Sequence, residues 1–187
     1  EQAIRNGAYR PAKGYSLRAL HALMALKDYV PIQDYNEQFI QLVLQYAEAS
    51  IDQPSDDVLP RLHEAEQAAD AIGDEGLRAR VWNSIGAYYF ILGQADNSIK
   101  YLSRSIPLAE QQGLEELLSL AYNIVGQSLY VQGALPRATR MLYKCIGLAE
   151  RFHEYDLMSS ALGAYASVLS MQGRHAESLP YARRAIE

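Results

Sequence analysis

Residue types that carry covalent or metal chemistry are few in this chain and poorly spaced for it. The four histidines are His21, His63, His153 and His175. None stands with another histidine, cysteine or acidic residue in a zinc-ligand pattern, so each reads as a helix-surface residue. The one cysteine, Cys145, permits no internal disulfide and no cysteine zinc cluster, which fits a reducing cytosol. There is no G-x-S-x-G turn, no Walker loop and no G-x-G-x-x-G phosphate cradle. Asp56-Asp57 reads as a helix start, and Arg137, Arg174 and Arg183-Arg184 read as a solvated face. No catalytic residue, metal ligand or cofactor site is assigned, and the expectation is a protein that is not an enzyme. What remains is hydrogen bonding. Asn83 and Asn123 stand 40 residues apart. An asparagine amide has both a donor and an acceptor, so a row of them can hold the backbone of an extended peptide without reading its sequence. The same side chains can instead cap or bridge neighbouring helices inside the fold.

The 40-residue spacing is general, and self-similarity at such a period marks a stack of repeated units. Gly93, Gly133 and Gly173 keep it, as do the small residues Gly86, Gly126 and Ala166, and Ile106, Ile146 and Ile186. Apolar residues recur at three- and four-residue spacing without strict alternation, so each period reads as two helices. One copy runs from about Leu77 to Leu92, ended by Gly93 in a left-handed C′ position, then from about Asp96 to Gln112, ended by Gly113. Glu75, then Glu115 and Glu116, then Glu154 and Asp156 open the following helices, where negative charge suits the helix dipole. Pro136 fits a first helical position. Pro107 and its equivalent Gly147 predict a bend or loosening of both second helices.

Toward the N-terminus the period weakens. Residues 34–51 read as a first helix with a capping box at Asp34 and Glu37, and 56–72 as its partner after a turn at Pro54-Ser55. The small-residue slot falls here on Tyr46, so this copy is either shifted by about a residue or an atypical end repeat. Residues 16–29 read as one more helix, with Leu17, Leu20, Leu23 and Met24 on a face and Pro31 as its stop; Gly7-Ala8-Tyr9 is a candidate turn before it. The organisation is one domain: an N-terminal segment, 1–33, then repeats at 34–73, 74–113, 114–153 and 154–187. A chain opening on Glu1 and closing on Glu187 in mid-pattern is expected to be part of a larger protein. Its 187 residues are 49% hydrophobic and 21% charged, with net charge −5. That suits a folded soluble chain and not a general nucleic-acid binder, which needs a basic face. The longest apolar run, Ala87 to Leu92, is far short of a membrane span.

The repeated words resemble the tetratricopeptide repeat family, whose first helix reads Trp-x2-Leu-Gly-x2-Tyr and whose second reads Ala-x3-Phe. Here one copy has Trp82-x2-Ile85-Gly86-x2-Tyr89 and Ser98-x3-Leu102. The next has Tyr122-x2-Val125-Gly126-x2-Leu129 and Ala138-x3-Leu142, and the last Leu162-x2-Tyr165-Ala166-x2-Leu169 and Ser178-x3-Ala182. Cys145 falls in a small packing slot of the second helix, with Ala65, Ser105 and Ala185. The family unit is about 34 residues; the longer unit here resembles kinesin light chains, peptide-sensing bacterial regulators and the sensor domain of the maltose-regulon activator. The resemblance implies an all-α, right-handed superhelix (an α-solenoid) of antiparallel helix pairs, about four repeats long. It also implies that first helices line a concave face. The stripes facing it are Arg80, Asn83, Ala87 and Phe90, then Leu120, Asn123, Gln127 and Tyr130, then Ser160, Gly163, Ser167 and Ser170. Phe90 and Tyr130 share a slot, as groove anchors or as packing against the next repeat. The carboxylate clamp of chaperone-binding members needs basic residues that this stripe has only at Arg80. By resemblance the chain is a cytoplasmic protein- or peptide-binding module, the sensory or adaptor part of a bacterial regulatory or signalling protein. The alternatives are a self-association (homodimer) domain and a small-molecule sensor using Tyr88, Tyr122 and Tyr130. No membrane partner is expected.

Overall fold

Left-handed backbone residues punctuate the chain at the spacing its glycines predict. Gly93, Gly133 and Gly173 have φ of 72°, 74° and 76°; Gly73 and Gly113 have 77° and 68°. The computed structural model describes residues 9–187, and between these turns the described chain is all-α. In order it forms α1 (Tyr9–Ala25), a short 3-10 turn (Lys27–Tyr29), α2 (Ile32–Glu48) and α3 (Val58–Ile72). Then come α4 (Glu75–Ile91), α5 (Ala95–Gln112), α6 (Glu115–Val131), α7 (Leu135–Phe152), α8 (Tyr155–Met171) and α9 (His175–Arg184). Gly7 and Ala8 of the candidate early turn lie outside the described residues.

The helices pack as an α-solenoid. Each first helix (α2, α4, α6, α8) packs on the second helix after it (α3, α5, α7, α9), and each second helix packs on the next first helix. First helices also lie against one another, α2 on α4, α4 on α6 and α6 on α8, whereas α1 packs on α2 as α3 packs on α4. The first helices are therefore enclosed on several sides. In α6, Leu118, Ala121, Tyr122, Ile124, Val125 and Leu129 are all buried, which a single apolar stripe would not allow. The outer α5 buries only Ser98, Leu102, Ser105 and Ala109, spaced by four, three and four. Two apolar clusters result, one over α1–α4 and one from α4 to α8, and α4 contributes buried residues to both.

The tightest contact within a repeat is made by glycine. A Cβ built on Gly86 would lie 2.6 Å from Leu102 Cγ and 3.2 Å from the Ser98 carbonyl oxygen. One period on, a Cβ on Gly126 would lie 2.6 Å from Leu142 Cγ and 3.2 Å from the Leu142 amide nitrogen. In the last repeat Ala166 takes the glycine slot, and Ala182 takes the leucine slot. Ala166 is buried and Ala182 is exposed, so the tight glycine–leucine contact belongs to the two repeats before it.

Four expectations are corrected. The first copy is displaced by three residues, not one: α2 starts at Ile32 and α4 at Glu75, 43 residues on. In that register Phe39, Leu42, Val43 and Tyr46 match Trp82, Ile85, Gly86 and Tyr89. The extra residues lie in the 49–57 linker. There the Ser55 amide donates to Tyr88 Oη at 2.9 Å and Tyr46 Oη donates to the Asp57 carboxylate at 3.0 Å. The capping box is absent, because α2 begins before Asp34, which lies in its first turn; Pro31 holds the N-cap position and supplies no side-chain acceptor. The N-terminal helix ends at Ala25, with Met24 exposed, and the chain goes on as the 3-10 turn. Finally, α5 continues as α-helix past Pro107, and α7 past Gly147.

His153 sits where the previous two repeats have Gly73 and Gly113, with φ of 58°. The same capping bond forms at both later sites, Leu114 N to Ala109 O and Glu154 N to Ala149 O, each 2.9 Å. A side chain in this conformation costs about 1 kcal/mol or more, whereas glycine adopts it freely. His153→Gly should therefore stabilise the chain by about 0.5–1 kcal/mol in urea denaturation, and Gly113→Ala should destabilise it by about 1 kcal/mol.

Candidate functional site: a groove across three first helices

The first helices lie edge to edge, and where α2, α4 and α6 meet they enclose a groove of about 340 Å³. Its walls are apolar: Leu44 and Ala47 from α2, Ile51 from the linker, Ile91 from α4, and Leu117 and Leu120 from α6. Polar groups enter at Glu48, Arg80, Asn83 and Ser84. Arg80 pairs with Glu116 of α6 at 2.7 Å, and both are partly exposed, so the pair closes one rim but adds little stability. Tyr88 also lines the groove; its hydroxyl accepts from the Ser55 amide and donates to the Ser55 carbonyl at 3.2 Å, so it fixes the linker that carries Ile51.

The two asparagines that share a slot have different surroundings. Both are buried, Asn83 with 7% of its surface exposed and Asn123 with 5%. The Asn123 amide is used inside the fold. Its Oδ1 accepts from Gln127 Nε2 at 3.1 Å, and its Nδ2 donates to Ser160 Oγ of α8 at 3.4 Å. Gln127 also donates to Ser160 at 3.3 Å. One period earlier those two partners are Ala87 and Leu120, which offer no side-chain hydrogen bond. Asn83 Oδ1 is accordingly buried without a partner. Such a group costs about 1–3 kcal/mol.

The remaining residues singled out by the sequence are dispersed. Ala87, Phe90 and Tyr130 are partly buried against the second apolar cluster and do not line the groove. Ser167 is exposed, and its hydroxyl donates to the Gly163 carbonyl at 3.0 Å. Tyr88, Tyr122 and Tyr130 are not gathered around one cavity: Tyr88 alone lines the groove. The α2 wall was missed because of the register error. With the 43-residue offset, Leu44 and Ala47 fall on the same stripe as Ala87 and Phe90, and the slot of Asn83 falls on Ile40.

A second polar cluster ties the repeats together on the side of the second helices. Tyr122 Oη donates a hydrogen bond to the Glu110 carboxylate, and Lys144 Nζ lies 3.1 Å from Tyr122 Oη and 3.4 Å from Glu110. Arg184 and Glu150 repeat the Lys144–Glu110 pair one period on, at 3.3 Å. One period earlier Trp82 replaces Tyr122; its Nε1 donates to Glu66 at 2.7 Å and the Arg104 guanidinium lies 4.0 Å over its ring. His63 joins that group, with Nδ1 3.2 Å from Glu66 and Nε2 3.4 Å from Tyr89 Oη. It is half-buried, unlike the other three histidines, which are exposed. Among the described residues no group of three His, Cys, Asp or Glu side chains could hold a metal. Cys145 is buried, and burial pushes its thiol up to about 12, far from a reactive thiolate.

No protein-family model matches the chain, and no curated protein matches it in sequence. Among solved structures it is similar to BtubC (BKLC) from P. vanneervenii, with a TM-score of 0.52 and 14% identity. That likeness covers 95% of this chain and 89% of BtubC. At this identity it is a likeness of fold, and it supports the helical-repeat architecture. Among the described residues no helix is long and apolar enough to cross a membrane.

The Tyr122 hydroxyl, with help from Lys144, holds the Glu110 carboxyl below its ordinary value against the opposing effect of burial. A depressed carboxyl stabilises the fold above the unfolded value of about 4.3, and that stabilisation is lost as pH falls through the folded value. Both charged partners are about half exposed, so the effect is small. Tyr122→Phe should cost about 1 kcal/mol at pH 7, with the difference from wild type shrinking below about pH 4 when denaturation is followed across pH.

Proposed function

We propose that this chain is a non-catalytic interaction module that binds an extended segment of a partner protein, or a free peptide, in the groove between α2, α4 and α6. In this reading it serves a bacterial regulatory or signalling protein in the cytoplasm as its sensory or adaptor part. The observation that carries the reading is a largely apolar groove that also carries Glu48, Arg80, Ser84 and Asn83, whose Oδ1 is buried without a partner. Apolar pockets with a few placed polar groups are the usual form of binding sites. The repeat architecture supports it, since stacked helix pairs offer extended surfaces for partners. The separation of Tyr88, Tyr122 and Tyr130 weighs against a small-molecule site built from those three rings.

The test is a selection from a displayed random-peptide library, followed by an NMR titration of the isotope-labelled chain with the selected peptides. The reading expects amide shifts concentrated on α2, α4 and α6, and at least tenfold weaker binding by Asn83→Ala. A footprint on α3, α5 and α7, or a selection that enriches nothing, contradicts it.

A further inference from the structure

The first repeat breaks a charge pattern that the later repeats keep, and a cavity lies at the break. In α5, α7 and α9 one position is always basic: Arg104, Lys144 and Arg184. Each pairs with an acid of the preceding second helix, Glu66, Glu110 and Glu150, at 3.9, 3.4 and 3.3 Å. Two of these cations also cover an aromatic ring of their own repeat, Arg104 over Trp82 at 4.0 Å and Lys144 over Tyr122 at 4.7 Å. In α3 that basic position holds Glu64. The ring there, in the 43-residue register, is Phe39, stacked on Tyr35 at 5.9 Å. Lys27 stands 43 residues before Asp70, the counterpart of Glu110 and Glu150, so the acidic position has turned basic as well.

The reversed pair is not closed. Among the described residues neither Lys27 nor Glu64 forms an ion pair. Both line a cavity of about 490 Å³, whose walls include Tyr35, Phe39, Ile32 and Ala68. That volume is in the range of small-molecule sites. Lys27 Nζ lies 5.8 Å from the Tyr35 ring centroid. The Tyr35 hydroxyl is raised above its ordinary value by burial and then by the charge of Glu64, which sets that carboxylate near the stacked rings. We propose that this cavity binds a free α-amino acid with an apolar side chain. Its ammonium meets Glu64 and the aromatic pair, its carboxylate meets Lys27, and its side chain rests on Ile32 and Ala68. The ammonium stands in for the cation that α5 and α7 supply to their own rings. Lys27 and Glu64 are exposed, so either contact alone is weak and recognition needs both charges. The cavity shares no lining residue with the groove between α2, α4 and α6, so the two sites are judged separately.

The test is an NMR titration of the full chain with L-leucine, leucinamide, which lacks the carboxylate, and N-acetyl-leucine, which lacks the ammonium. L-leucine should shift the amides of Lys27, Tyr35, Phe39 and Glu64 and bind at least tenfold tighter than either derivative. Lys27→Gln should weaken leucine at least tenfold and leave leucinamide unchanged, and Glu64→Gln should do the same for leucine and leave N-acetyl-leucine unchanged. Glu64→Lys, which copies Lys144, should abolish leucine binding. Both side chains are exposed, so each variant should keep Tm within about 2 °C of wild type. No shift at the cavity residues with leucine at about 10 mM overturns the inference. So does equal binding of all three compounds, or a loss in either glutamine variant that is the same for leucine and the matched derivative. Shifts confined to α4 and α6 overturn it too and place the ligand in the groove.

Discussion

Two helix backbones cannot approach closely if side chains stand between them, and in the two central repeats of this chain a glycine removes that obstacle. Gly86 and Gly126 sit so near Leu102 and Leu142 that a single added carbon would overlap the leucine. The leucine fills the space the glycine leaves, and both leucines are wholly buried. That contact sets how closely the helices of a repeat lie. It also sets where the next first helix can rest, because α5 and α7 are each packed between two first helices. The outer repeats are built differently, with Val43 in that position in the first and Ala166 in the last.

Regular stacking has a consequence for polar groups. Positions 40 residues apart fall in similar places, so a side chain's surroundings are set by its neighbours in the same repeat and the next. Asn123 has a glutamine one turn away and a serine on the adjacent helix, and its amide is satisfied. Asn83 has an alanine and a leucine there, and its oxygen is not. An apolar residue at position 83 would remove the penalty, so the asparagine is one of the places, with Ser98, Ser119, Ser128 and Glu154, where a buried polar atom lacks a partner. The groove lies at Asn83, walled by Leu120 itself.

Much of the fold could be read before any coordinates, because its signal is repeated. Glycines at 93, 133 and 173 mark one kind of turn, and those at 73 and 113 the other, each with positive φ. Three copies of one helix pattern agree on their register, and α4, α6 and α8 begin 40 residues apart. The first copy failed because its linker is longer: 49–57 separates α2 from α3, whereas only 92–94 separates α4 from α5. An insertion hidden in a loop moves every residue before it, and a fixed period then assigns the wrong face. A 40-residue period puts Tyr46 in the glycine slot, whereas the 43-residue offset puts Val43 there and turns Leu44 and Ala47 to the groove. The placement of Arg80 and Asn83 together was legible from helical spacing. Whether each asparagine was satisfied was not, because it depends on which residue of the adjoining helix lies opposite. His153 in a glycine position was likewise visible only from its backbone angle.

The central claim is that the fit between the glycine slot and its opposing leucine holds the two central repeats together. A double-mutant cycle of Gly126→Ala and Leu142→Ala, measured by urea denaturation, tests it most directly. Alanine at 126 gains about 1 kcal/mol of helix propensity and loses about 1–3 kcal/mol to overlap, so alone it should destabilise. Alanine at 142 alone should cost about 2–5 kcal/mol. Together they should be less damaging than the sum by at least about 1 kcal/mol, since the new methyl then enters the space the leucine vacates. Additive losses within about 0.5 kcal/mol, or a stabilising Gly126→Ala, would contradict the account.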